Sequence, residues 1–188
     1  MTFVRVLLCC LLLSACASAP VDYYRLQTHG DVAGGHPAAG PVLQVGPVSL
    51  PPWLDRPELV RTDASGRVVL LARAEWAAPL PQLIAAALAQ GIGADLRWGQ
   101  ARAWPSTMPY AADWLVTLDV RDLTAGADSL RLDASWRVLR DGRVLASGSL
   151  TREEPLHGGD AAALVAAHDQ ALTDLAAAMA ASLNTISP

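Results

Sequence analysis

The sequence predicts an α+β domain of two layers, a mainly antiparallel sheet with two amphipathic helices on one of its faces. Three observations carry that expectation. Apolar and polar residues alternate along two neighbouring stretches, an Asp-Gly pair separates the second of these from a third, and two other segments repeat apolar residues at helical spacing.

The first residues are a processed leader. Arg5 precedes the apolar run Val6 to Leu13, which is too short to cross a bilayer that takes about 20 helical residues. Small residues follow the run, and that order is an export signal. Leu13-Ser14-Ala15-Cys16 has the form of a bacterial lipobox, so the expected division is a signal peptide over 1–15, an acylated start and short tether over 16–22, and a single domain over 23–188. The chemistry needs a thiol at that position, because the Cys16 sulfur is the nucleophile that accepts a diacylglyceryl group. The alternative is an ordinary secretory leader cleaved near Ala17 or Ala19. Cys9 and Cys10 fall inside the leader, which leaves Cys16 as the mature thiol and no disulfide within the monomer. Each buried methylene of an acyl chain contributes about 0.8 kcal/mol, so several chains hold a protein on a membrane where one does not. From Ala17 to Asp22 the tether reaches about 20 Å at ~3.5 Å per extended residue, which keeps the domain close to its membrane.

Within the domain, Tyr23-Tyr24-Arg25-Leu26 reads as a first strand and Thr28 to Gly40 as a loop whose His29 and His36 are solvated. Pro41 to Val48 is strand-like. Three prolines then make Ser49-Leu50-Pro51-Pro52-Trp53-Leu54-Asp55-Arg56-Pro57 a fixed irregular loop, since proline has no N–H to give a ladder. Glu58 to Asp63 and Gly66 to Arg73 form two strands around a turn. Leu80, Leu83, Ile84, Ala87, Leu88 and Ile92 recur at helical spacing behind Pro79, a residue suited to a first helical turn. Gly91-Ile92-Gly93 lacks the third glycine of a dinucleotide fingerprint and reads as a helix terminus.

The alternation is clearest in Trp114, Val116, Leu118 and Val120, and again in Leu130, Leu132, Ala134, Trp136 and Val138. Asp141-Gly142 suits a type I′ hairpin, and Val144 to Leu150 return as the next strand. Asp160 is placed to cap a helix whose Leu164, His168, Leu172, Leu175, Met179 and Leu183 form one stripe over the sheet's apolar face.

Composition excludes several functions. The 188 residues carry 14 basic side chains, all of them Arg, against 18 acidic ones, for a net charge of −4. Without lysine there is no phosphate-gripping P-loop, and an acidic chain with no basic cluster is not a nucleic-acid binder. The four histidines show no ligand spacing, so neither a metal nor another cofactor is expected, and His168 reads as a stripe residue. Glu153 and Glu154 are neighbours on an extended chain and point to opposite faces, so they cannot act on one bond. No G-x-S-x-G elbow exists. The expectation is therefore a protein without catalysis.

Four stretches carry a family resemblance: Tyr23-Tyr24-Arg25-Leu26; Val45-Gly46-Pro47-Val48-Ser49-Leu50-Pro51-Pro52-Trp53-Leu54-Asp55-Arg56-Pro57-Glu58-Leu59-Val60; Glu75-Trp76-Ala77-Ala78-Pro79-Leu80; and Ala134-Ser135-Trp136-Arg137. In this order they resemble the ABC-type transport auxiliary lipoproteins, the PqiC/YmbA-like group. Trp53 stands where that family often has Tyr, and an Arg often found between the Glu and Trp of its fourth stretch is absent. The resemblance implies an outer-membrane-anchored periplasmic subunit of an intermembrane lipid transport system. Its implied partners are a periplasmic MCE-domain protein and inner-membrane transport subunits, and it also implies self-assembly into a homo-oligomeric ring. Trp53, Leu54, Asp55 and Arg56 are the expected partner interface, because a Trp on a proline-stiffened loop loses little entropy on contact. The alternative for the same residues is that Trp53 plugs the sheet edge while Asp55 and Arg56 pair locally. Two other roles stand beside docking: a lipid-carrying lipoprotein, which needs a concave apolar interior, and a structural assembly lipoprotein of another outer-membrane complex.

Overall fold

A computed structural model describes residues 20–28, 40–97, 99–105 and 111–186. The expected signal peptide and Cys16 lie outside the described residues, as do His29 and His36. The elements are β1 (Asp22–Tyr24), β2 (Val42–Ser49), β3 (Glu58–Thr62), β4 (Val68–Trp76), α1 (Leu80–Asp95), β5 (Gln100–Ala103), β6 (Trp114–Ala125), β7 (Ser129–Arg140), β8 (Arg143–Pro155) and α2 (Ala161–Asn184). The fold is α+β, as the sequence predicts. The strands divide between two mixed sheets, however, where one mainly antiparallel sheet is expected.

The larger sheet has the order β5-β2-β6-β7-β8. Its β6–β7–β8 part is the expected antiparallel meander, paired from Leu115↔Leu139 to Ala125↔Leu130 with a register shift between Val120 and Asp122, and from Ser129↔Pro155 to Arg140↔Arg143 with one between Val138 and Leu139. Asp141 and Gly142 have φ of 51° and 73°, the positive pair that a type I′ turn requires and that Gly supplies without steric cost. β2 runs parallel to both its neighbours. Parallel strands need a crossover, and α1 supplies it on the way to β5. The smaller sheet, β1-β4-β3, pairs β1 parallel to the end of β4 and β3 antiparallel to it.

Between the sheets and the helices lies one apolar core. Leu130, Leu132, Ala134, Trp136 and Val138 of β7 are all buried in it, together with Leu164, Leu172, Leu175, Met179 and Leu183 of α2. The Asp160 carboxylate accepts the Ala163 N–H at 2.8 Å and so caps α2 as expected, satisfying a donor that the first turn leaves open. α1 begins behind Pro79 and continues through Gly91, where a helix end is expected, to Asp95. A Cβ on Gly91 would fall 2.7 Å from the Ala176 Cβ and 2.9 Å from the Thr28 Oγ1, so this glycine lets α2 and the strap after β1 come close. Within that strap Thr28 donates to the Ala87 carbonyl at 2.9 Å. Asn184 closes the far end, accepting from the Arg97 N–H at 3.2 Å and donating to the Asp95 carbonyl at 3.1 Å.

The tip of the β3–β4 hairpin is locked by Asp63. Its carboxylate accepts from the Ser65 hydroxyl at 2.6 Å, the Ser65 N–H at 2.9 Å, the Arg67 N–H at 3.0 Å and the Arg67 guanidinium at 2.8 Å. These bonds, the Ser65 hydroxyl first, hold its pKa down at about 2. Arg61 clips the hairpin to the larger sheet, donating to the carbonyls of Gly126 at 2.8 Å, Ala127 at 2.8 Å and Gly159 at 3.0 Å.

Candidate functional site

The proline-rich loop between β2 and β3 is fixed by a small number of specific bonds. Leu54 N–H donates to the Pro51 carbonyl at 2.9 Å, which closes a turn, and Arg56 N–H donates to the Leu54 carbonyl at 2.9 Å. Leu54 is buried in the core and anchors the turn from inside. Of the four residues expected at a partner interface, this one has its side chain spent on packing, because an apolar residue at the centre of a tight turn is the one that holds the turn to the domain. Trp53 is half-buried and packs against the same core, while Asp55 is exposed. Arg56 does not pair with Asp55. Its Nε sits 3.0 Å from Glu58 Oε2. A backbone hydrogen bond at Glu58, followed by the Arg56 guanidinium, lowers the Glu58 pKa below the usual carboxylate value.

The loop is tied in turn to the end of β4. Trp76 N–H donates to the Pro57 carbonyl at 2.6 Å, and Ala77 N–H donates to the Tyr24 carbonyl at 2.7 Å. Between these segments opens a groove of about 320 Å³ lined by Asp55, Arg56, Pro57, Trp76, Ala78 and Pro79. Two of the four motif stretches thus line one groove, whose floor is apolar and whose rim carries one carboxylate and one guanidinium, and the first stretch is tied to its wall through the Tyr24 carbonyl. The fourth lies elsewhere, since Ser135 and Arg137 meet Pro47 and Ser49 at a separate groove of about 560 Å³. Sequence reasoning nominated one wall of the first groove and missed the other. The signal for Trp76, Ala78 and Pro79 was present in the stretch that contains them, but only the fold places them opposite Asp55.

Beneath the groove, Trp76 meets His168 of α2 edge-on, with ring centroids 5.4 Å apart. His168 is fully buried, and its Nδ1 lies 2.8 Å from the Leu164 carbonyl. Burial pushes its pKa down to about 4, with the bond to Leu164 opposing the shift. At neutral pH it is an uncharged core residue, as its place on the stripe suggests. Among the described residues no cluster of three or more His, Cys, Asp or Glu is arranged to hold a metal ion. No helix among the described residues is long and apolar enough to cross a membrane.

Residues 24–180 match the family described as the ABC-type transport auxiliary lipoprotein component. The chain belongs to that family. Two solved structures resemble this transport auxiliary lipoprotein over most of their lengths. A crystal structure of an uncharacterized protein is 18% identical and superposes with a TM-score of 0.68, covering 87% of this chain and 98% of the other. Protein XCC0632 from Xanthomonas campestris, of family DUF330, is 21% identical with a TM-score of 0.61 over 85% of this chain and 91% of its own. At these identities the likeness concerns the fold of the transport auxiliary lipoprotein. No curated protein matches the chain.

Proposed function

We propose that this protein is a lipid-anchored periplasmic docking subunit, held by acylated Cys16 to the outer membrane, that receives an MCE-domain partner of an intermembrane lipid transport system and acts without catalysis. The anchor follows from the lipobox Leu13-Ser14-Ala15-Cys16 and agrees with the lipoprotein character of the family. The observation that carries the docking role is the meeting of the Pro57 and Trp76 stretches as the two walls of one groove. A rigid groove loses little conformational entropy when a partner segment enters, so more of the contact energy remains as affinity. Its apolar floor and its Asp55 and Arg56 rim suit an extended peptide segment more than a free acyl chain, which has nothing to offer two charges. Assembly into a homo-oligomer and contact with inner-membrane transport subunits belong to the same reading.

The test is capture of the acylated full-length protein from native envelopes, with the captured proteins identified by mass spectrometry. The wild-type chain is expected to bring an MCE-domain protein. A chain carrying Trp53→Ala with Asp55→Arg is expected to lose it while remaining folded and membrane-bound. Capture that yields no MCE-domain protein and no transporter subunit would sink the reading, and an unmodified Cys16 in the mature chain would sink its anchor.

A further inference from the structure

The smaller sheet shows an apolar surface that the docking groove does not use. Val68 and Leu70, which share one face of β4, are 37% and 42% exposed, and Tyr23 of β1 is 66% exposed, while Val69 points to the opposite face and lines a groove with Arg61 and Gly126. β1 covers only Ala74 to Trp76, so among the described residues no strand pairs with that flank of β4 from Val68 to Arg73. Arg67 and Arg73 border this flank and are both exposed.

Chain direction indicates what lies against it. β1 is parallel to β4 with Asp22 opposite Ala74, so the chain before Asp22 leaves the domain from the end at which β4 begins. Val68 stands about 20 Å along β4 from Ala74 at ~3.3 Å per residue. The tether from Asp22 back to Cys16 reaches about the same distance. A tether of that length is long enough for an anchored Cys16 sulfur to reach the level of the exposed aliphatic residues.

We infer that Val68 and Leu70 on one face of the β3–β4 hairpin, with Tyr23 further along the same sheet, rest on the lipid surface that holds the acylated N-terminus. This rests on the acylation of Cys16 proposed above. Three further observations favour lipid over a second copy or an added strand. Arg73 has φ of 61° and the β3–β4 register slips between Glu58 and Val60, so the flank is not the straight edge that strand addition requires. The few half-exposed side chains fall far short of the ~1,200 Å² or more that a stable protein interface buries. A tethered domain needs no such area, because its anchor already holds it at high effective concentration over the membrane. Exposed Tyr23 on the same sheet and exposed Arg73 at the end of the flank supply an aromatic and a cation of the kind enriched at membrane interfaces.

The experiment uses the acylated full-length protein in vesicles of phosphatidylethanolamine and phosphatidylglycerol. Acylation consumes the Cys16 thiol, so a single engineered cysteine takes an environment-sensitive nitrobenzoxadiazole label. Leu70→Cys is the main site, Val68→Cys a second one in case the first misfolds, and Leu145→Cys, exposed on β8, the comparison. Labels at 70 and 68 are expected to shift to the blue and to lose most of their emission when vesicles carry a headgroup-level nitroxide lipid, and the label at 145 to do neither. A label at 70 that stays water-like on protein that floats with the vesicles overturns the inference and leaves the anchor standing. A blue shift without nitroxide quenching overturns it in favour of another copy. Protein that fails to float, with Cys16 unmodified, removes the anchor and this inference together.

Discussion

The β6–β7–β8 meander and the β3–β4 hairpin are built from the same aliphatic residues and meet opposite fates. Along β7, Leu130, Leu132 and Val138 are fully buried under the helices, and the other face pairs its charges across strands, as Arg121 with Asp133 at 2.5 Å. Along β4, Val68, Val69 and Leu70 are left in the open although β3 pairs with them. Strand pairing alone therefore does not bury a side chain. A covering layer does, and α2 lies over the larger sheet and meets the smaller one at Trp76, at the far end of β4 from Val68.

That contrast is sharpest in a matched pair of truncations. Leu132→Ala is expected to cost about 2–5 kcal/mol, the range for deleting a fully buried leucine where the site cannot collapse. Leu70→Ala is expected to stay within about 0.5 kcal/mol, as surface changes do. Urea denaturation of the two variants under identical conditions measures both, and similar losses would break the comparison. An intermediate effect comes from His168, which ties α2 to Trp76 at the base of the smaller sheet. Its folded pKa of about 4 lies below the unfolded value near 6.5, so between them the unfolded chain binds the proton and the folded one does not. The stability from its neutral form is complete above pH 6.5 and is lost as pH falls towards 4, by about 3 kcal/mol. His168→Leu should remove this slope, read as the difference between the two proteins' melting temperatures from pH 7 to pH 4.5. The smallest loss expected at a packed position concerns how tightly the meander is filled. A Cβ on Gly148 would stand 2.6 Å from Trp136 Cε2, so Gly148→Ala is expected to cost about 1–3 kcal/mol through overpacking. A melting temperature equal to that of the wild type would show that Trp136 has room to move.

The same contrast explains what the sequence disclosed. Period-two alternation marks a strand with one covered face, so β6, β7 and the hairpin at Asp141-Gly142 were legible, as were both helices and the Asp160 cap. Pairing between distant strands leaves no such mark. β5 offers only Gln100-Ala101-Arg102-Ala103, too short for a pattern, and nothing in β2 shows that its partners lie on either side of a crossover. The second sheet was hidden for the same reason, because Asp22–Tyr24 is three residues long and meets β4 across a wide separation in sequence. At the candidate site, prolines disclosed the stiffness of the Trp53 loop. They did not disclose that Leu54 turns inward or that Arg56 prefers Glu58, since a side chain's direction in an irregular turn follows no period.

The strap from Tyr24 to Thr28 has a mechanical consequence. β1 lies along β4, and the chain then runs on between the two helices, where Gln27 N–H meets Asp169 at 2.8 Å and Thr28 meets Ala87. Tension entering through the residues before Asp22 is directed along the ladder. It loads those bonds in shear, together, instead of peeling them one at a time. A tug on this end is thus shared by a strand, both helices and the core beneath them before anything gives way.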